Sequence, residues 1–571
     1  MRTEFRVPCS TGTYADTLTA LGLAKLLRAL GGESVRIQRP LDSSHYLISS
    51  KTHIADASDA PFQHLFPRVL MNGVSSTSAS DIDYDAEKAR RARYFEWRER
   101  VKKANQTDLP EDVAPEAPPR NYSLFSSLVD LLKPIVGSTY AKTAETLERS
   151  KFGFYAEAVL SGFALHDGDP EQIEQHLKSA FGKEKFELRT SAVQIFNPMS
   201  GKGMNANKPN SIGMSGTDAP MPIEMLKFSG WWRGAVAATP RKTKDLKVLV
   251  IAPQDIRDDT LETIMTSFRD VFYGGGAVQI DILAALCLSE VLLEHHDAVP
   301  SKRGRPRHVV SGFNSAYFQN LGSAKGVSNL SFIGLPEWIE IQGDEDRLLW
   351  LEVLREHKNI LSRLDESRSE AHTLLEVYRN FLSLNALEHF LEFLVDYGAY
   401  ALGQADRNKP IGWFRTDLLG RIFMGLDNST GSLSAILENA GFQSIAGAIR
   451  RSTRGALYAK KLGGDKTYEV KYGLAQELKR KAVYKEEFAA ALAGFVSEYM
   501  TENLRAADRG KRQRPAVTTT DLEQVIALMD THNSETVAML LIAYGYAKEP
   551  SEPKEAESTD DNLNTENGDD N

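Results

Sequence analysis

Hydrophobic and polar positions divide this 571-residue chain into regions of different period. Residues 4–9 read as a strand. Leu18, Leu21, Leu26 and Leu30 then recur at near-helical spacing, predicting a helix over 14–30 that ends at Gly31-Gly32. Further strands are predicted over 34–39 and 45–50. Residues 84–103 form a strongly charged helical stretch, and 107–120 carries Pro110, Pro115, Pro118 and Pro119, which marks a boundary or a loop. Between 122 and about 342 the periods mix. KVLVIA (247–252) reads as a buried strand, VQIDI (278–282) as an alternating one, 283–295 as a buried helix and 308–313 as a returning strand. From 344 onward the period is helical, with Leu384, Leu387, Phe390, Leu391, Leu394 and Val395 making one wide apolar stripe.

The fold class expected is α+β, with mixed α/β N-terminal and central regions followed by a mostly α-helical C-terminal bundle. The expected divisions are 1–106, a Pro-rich linker 107–121, a central region 122–343, a helical region 344–431, a bundle 432–549 and an acidic tail 550–571 that reads as disordered. No segment approaches the ~20 apolar residues of a membrane span, and the first residues hold no apolar signal core. Two isolated cysteines, Cys9 and Cys287, exclude a Cys-rich zinc site and argue against a disulfide scaffold. A soluble, cytoplasmic protein is expected.

The net charge of −9 hides an uneven distribution. Residues 549–571 hold nine acids and one lysine, whereas 446–514 holds sixteen basic and eight acidic residues. A basic segment in a nearly neutral body points to a polyanion partner. In SIAGAIRRSTRGALYAKK (444–461), an ideal helix places Arg450, Arg451 and Arg454 within one arc, continued by Tyr458 and Lys461 and opposite Ile445 and Ile449. Three guanidiniums on one face suit a phosphate backbone; an ordinary ion-paired surface is the equal alternative. Lys479, Arg480 and Lys481 are consecutive and cannot all be hidden by one packed face, and RGKRQRP (509–515) adds a second cluster.

Three more segments carry candidate chemistry. NPMSGKGMNANKPNSIGMSG (197–216) is rich in Gly, Asn and Lys and has no acid, as expected where backbone approaches a polyanion. Lys202, Asn205, Asn207 and Lys208 are its candidate contacts. Pro209 follows too closely for a dinucleotide-binding helix, and the segment is not a P-loop. Trp231 and Trp232 downstream could stack bases but read more readily as core. Arg303-Gly304-Arg305-Pro306 resembles an AT-hook core, in which two extended arginines enter a minor groove. Finally, Glu294-His295-His296-Asp297 offers the His-Asp pair of HD-type metal phosphohydrolases, with His166 and Asp396 as possible further ligands. A helix-end histidine favourable to the dipole explains it equally well.

The C-terminal segments GFQSIAGAIRRST, KYGLAQELKRKA, FAAALAGFVSEYMTEN and LLIAYGYAKEP, with NPMSGKGMNANK and GLAKLL (22–27), resemble the large subunit of type I CRISPR effector complexes. The likeness is strongest over the last 130 residues or so, and the region after about Ser432 resembles the small subunit fused to some family members. It implies a non-catalytic, cofactor-free subunit that sits near the 5′ handle of the guide RNA, inspects the flanking motif of target DNA and supports R-loop formation. Its partners would be guide RNA, target DNA, the other effector-complex subunits and a separate helicase–nuclease that cuts. The rival expectation is a metal-dependent phosphohydrolase or nuclease centred on His296 and Asp297. An internal start near Met424, giving a separate C-terminal product, is a further expectation.

Overall fold

The computed structural model describes residues 2–40, 42, 44–65, 69–70, 82–103, 114–116, 143, 146–183, 189–191, 194–200, 218–272, 274–296, 298–299, 304–322, 325–427, 432–463 and 467–550. Of the predicted linker only 114–116 is among them, and the acidic tail beyond Pro550 lies outside.

Residues up to Tyr400, with Pro410–Gly412, form one compact unit. Its first sheet has the antiparallel order β1 (Arg2–Pro8), β3 (His45–Ile54), β2 (Arg36–Gln38), β6 (Asp255–Arg257). The second has the order β8 (Lys325–Gly334), β7 (Val310–Asn320), β5 (Leu246–Pro253), β4 (Ala235–Ala238), also antiparallel. Helix α1 (Tyr14–Ala29) is buried along most of its length, starts at the Thr13 cap and ends at Gly31, whose φ of +85° only glycine adopts freely. It lies backbone-to-backbone against α2 (Met221–Gly234). A Cβ at Gly22 would fall 2.0 Å from the Leu226 carbonyl oxygen, and one at Gly230 would fall 1.9 Å from that of Leu18. Trp231 is wholly buried beside Phe196, so it belongs to the core.

The helices α3 (Asp258–Val271) and α4 (Ala277–Glu294) follow. The segment VQIDI is therefore helical, not a strand. Its apparent alternation arises because both polar members are buried and partnered: Gln279 donates to the Leu361 and Leu364 carbonyls at 2.8 and 3.1 Å, and Asp281 is in an ion pair with Lys247 at 2.5 Å and Arg379 at 2.7 Å. The amides of Val278 and Gln279 donate to the Glu366 carboxylate at 3.1 and 2.9 Å, which satisfies the first turn. Then come α5 (Asp344–Leu361), α6 (Ser369–Leu384) and α7 (Leu387–Asp406). Phe390, Leu391, Leu394 and Val395 are buried as the apolar stripe requires, while Leu384 is 65% exposed.

The second unit comprises Ala401–Lys409 and residues from Trp413 onward. Among its described residues it contains only helices: α8 (Thr416–Leu426), α9 (Ser432–Leu437), α10 (Ala440–Arg450), α11 (Ala456–Gly463), α12 (Leu474–Lys481), α13 (Lys485–Asp508), α14 (Thr519–Thr531) and α15 (Ser534–Tyr546). Helix α15 is buried from Val537 to Tyr546, and Gly545 lets Ile449 of α10 close on it. Met424 stands inside α8, so a chain starting there would lose Phe414, Leu418, Leu419, Ile422 and Phe423, all buried. An α+β chain with an all-helical C-terminal region is the observed class.

Candidate nucleic-acid interface

Arginines in 444–461 do not form the open face that an ideal helix predicts. The α-helix stops at Arg450, and Arg451–Gly455 is a wider π turn, which changes the angular spacing of every following side chain. Thr453 bonds back to the Ile449 carbonyl at 2.8 Å and is buried together with Ser452.

Each cation there has an internal task. Arg450, with 12% of its side chain exposed, donates to the carbonyl oxygens of Ala547 (2.8 Å) and Tyr544 (2.9 Å) and pairs with Glu549. It thereby closes the carboxyl end of α15, where orphan carbonyls and the helix dipole both favour a cation. Burial pulls its pKa below the ordinary guanidinium value, with Glu549 pulling the other way. Arg451 donates to the Tyr499 hydroxyl at 2.9 Å. Arg454 is half-buried, 5.5 Å from the Trp413 ring centroid, and burial lowers its pKa too. Lys461, though exposed, donates to the Asp406 carbonyl (2.8 Å), the Asn408 side chain (2.6 Å) and the Ala405 carbonyl, closing α7. The expected phosphate-gripping face is thus corrected: the carbonyls that Arg450 caps lie over ninety residues away in sequence, beyond the reach of a helical wheel.

Beyond this helix, the segment 505–514 carries a cluster of exposed cations. Helix α13 ends in a Schellman motif: the Gly510 amide bonds the Ala507 carbonyl (2.8 Å), the Lys511 amide bonds that of Ala506 (2.9 Å), and Gly510 has φ +65°. The chain then turns back and is pinned by Arg514. Its guanidinium lies between the rings of Tyr468 and Tyr499, 3.8 and 4.0 Å from their centroids. It bonds Glu502 at 2.8 Å and Asn503 at 3.1 Å. Asn503 returns a bond to the Arg514 carbonyl (3.0 Å), Tyr499 donates to that of Pro515 (2.9 Å) and Tyr468 to that of Arg512 (3.0 Å).

Between these anchors Arg509, Lys511 and Arg512 are exposed, as is Arg505 one turn earlier, and among the described residues none has an acidic partner. Asp508 is the one carboxylate in the stretch. Cations held on a short, pinned loop lose less side-chain and loop entropy on meeting a phosphate strand than cations on a free tail. The sequence signals the basic cluster at 509–515. It does not signal Arg505, or that Arg514 alone of the five cations faces inward.

Elsewhere, Arg480 is exposed and unpaired among the described residues, while Lys479 is half-buried and engaged, and Lys481 pairs with Glu487 at 2.5 Å. Lys202, Asn205, Asn207, Lys208 and Arg303 lie outside the described residues. Asn197, at the root of the Gly/Asn/Lys segment, is a core group bonded to Glu224 (3.0 Å) and to Lys227 (2.6 Å). Arg305 pairs with Glu340, Gly304 bridges to Ile341 and Pro306 opens a short helix, so this half of the hook-like motif is tied into the fold instead of extending outward.

His295 bonds Ser267 at 3.1 Å, His296 is exposed, and Asp297 lies outside the described residues. Among the described residues no three His, Cys, Asp or Glu side chains gather where they could hold a metal ion. Nor is any helix there long and apolar enough to cross a membrane.

Compared with known proteins, the sequence matches no family model and no curated protein.

Proposed function

We propose that this chain is a non-catalytic, nucleic-acid-binding large subunit of an RNA-guided surveillance complex of the type I CRISPR class, gripping sugar–phosphate strands with its C-terminal helical unit. The observation that carries the reading is the pinned display of Arg505, Arg509, Lys511 and Arg512, four exposed cations without acidic partners among the described residues. The resemblance of the C-terminal segments and the cation excess over 446–514 support it.

In this reading the guide RNA reads target sequence by base pairing, and the protein supplies contacts that are indifferent to base identity. Four cations that each neutralise one phosphate give a steep salt dependence, and so hold opened strands firmly without selecting their sequence. Inspection of the flanking motif, support of the R-loop and recruitment of a separate helicase–nuclease complete the role.

The test is to isolate the chain with its native partners and sequence any bound RNA. Short RNAs sharing a constant repeat-derived end are expected. A chain that carries no RNA and cleaves nucleic acid in a metal-dependent manner lost in His296→Ala would overturn the reading in favour of a phosphohydrolase.

A further inference from the structure

The second sheet changes character along its length. Residues directly opposite one another in antiparallel strands share a face. Ile251, Phe313 and Ile333 are aligned and wholly buried, as a helix-covered face requires. Two steps on, Ser315 stands opposite Ser331, and two more steps align Lys247, Tyr317 and Asn329. A sheet face under helices that turns polar departs from ordinary packing, and such departures are concentrated at functional sites.

Over this polar end lies a cavity of about 440 Å³, walled by one side of α4 and by the Glu376, Arg379 and Asn380 face of α6. The size is that of a small-ligand site. Its interior is built, not incidental. Lys247 and Asp281 are 6% and 1% exposed and paired, and Lys247 also donates to the Ala277 carbonyl at 2.8 Å. Ser315, 2% exposed, has a hydroxyl with no hydrogen-bond partner among the described residues. Arg379 gives its Nε to Asp281, at 2.7 Å, and among the described residues its two terminal nitrogens have no partner. Lys247, Asp281 and Arg379 together carry one net positive charge at the floor of the cavity, and Glu376, 55% exposed at its rim and 3.4 Å from His372, brings the whole lining to neutrality.

We propose that this cavity binds a small phosphomonoester the size of a mononucleotide. The phosphate meets the open edge of Arg379 in a bidentate pair, and the sugar or base meets Ser315, Ser331 and Asn329. The donors lining the cavity, the two terminal guanidinium nitrogens of Arg379, the Ser315 and Ser331 hydroxyls and the Asn329 and Asn380 amides, exceed the roughly four bonds a carboxylate accepts, and a phosphoryl group with a polar ester substituent matches them. The phosphate could belong to a free nucleotide or to the end of a strand. The site is independent of the cation loop at 505–514.

The test is calorimetric titration of the full chain with adenosine monophosphate, adenosine, inorganic phosphate, and a tetranucleotide with or without a 5′-phosphate. Adenosine monophosphate should bind saturably, and adenosine at least about tenfold more weakly. Arg379→Gln should weaken the nucleotide by about tenfold or more. Ser331→Leu, which narrows the cavity without touching the buried ion pair, should do the same with an unchanged melting temperature. Competition between the nucleotide and the 5′-phosphorylated tetranucleotide identifies strand ends as the source; binding of the nucleotide alone identifies the free ligand. No saturable binding at millimolar nucleotide, equal binding of adenosine, or unaltered affinity in both variants would overturn the proposal. Replacing Arg505, Arg509, Lys511 and Arg512 should leave mononucleotide binding as it is, so this inference and the nucleic-acid reading fail separately.

Discussion

Replacing Arg450 with alanine distinguishes a helix-closing arginine from a phosphate-gripping one. The substitution removes two charge-assisted bonds to the Tyr544 and Ala547 carbonyls and the cation at the end of α15. A hydrogen bond involving a charged group contributes about 1.5–3 kcal/mol, and a cation at a helix terminus about 0.3–2 kcal/mol. Glu549 is 71% exposed, so water reaches this end and the low side of both ranges applies, giving about 3 kcal/mol in all. For a unit of this size each kcal/mol lowers Tm by roughly 2–4 °C, so the second unit should melt roughly 6–12 °C lower in a calorimetric scan of the full chain. Below that transition, duplex-DNA affinity and its salt slope should change less than about twofold. Unaltered melting together with a clear loss of DNA affinity would refute the assignment and return Arg450 to the binding face.

Two further outcomes follow from buried groups. Arg514→Lys keeps the charge but loses the planar fork stacked between Tyr468 and Tyr499. It should cost about 1–2 kcal/mol in unfolding free energy and weaken DNA binding by freeing the loop, whereas unchanged protease resistance of residues 509–515 would contradict the pinning role. His357 is wholly buried, with Nδ1 2.7 Å from the Tyr378 hydroxyl, and burial pulls its pKa down to about 3. The unfolded chain takes up this proton near pH 6.5 and the folded one only near pH 3. Stability is therefore complete above pH 6.5 and falls by about 1.4 kcal/mol per pH unit below it from this group alone. In His357→Phe, the pH dependence of unfolding between pH 6 and 4 should be shallower by about one proton; an identical slope would show that His357 does not titrate this way.

Much of the fold was legible because burial repeats locally. Leu18, Leu21 and Leu26 of α1, the KVLVIA strand and the Phe390–Val395 part of the stripe in α7 lie where their periods place them and are buried, α1 along most of its length and the strand on both faces. VQIDI was misleading because Asp281 looks like a solvent-facing strand residue until its partners, Lys247 and Arg379, come together from elements far away in sequence. The basic segments were harder for the same reason. Charge is visible in a sequence, but whether a guanidinium is spent on a distant carbonyl, as at Arg450, on stacked tyrosines, as at Arg514, or left open, as at Arg512, depends on contacts that no local spacing encodes. The π turn at Arg451–Gly455 added a second error, since the ideal helical angle does not survive it. The polar end of the second sheet stayed hidden because register, not composition, aligns Lys247 with Tyr317 and Asn329.

The most direct measurement is the salt dependence of DNA binding by the full chain and by a variant with glutamine at positions 505, 509, 511 and 512. If these cations meet phosphates, the slope of log K against log salt should become shallower by roughly 0.9 per lost contact, up to about 3.6, with the fold intact. A slope and affinity equal to those of the unaltered chain would contradict the account.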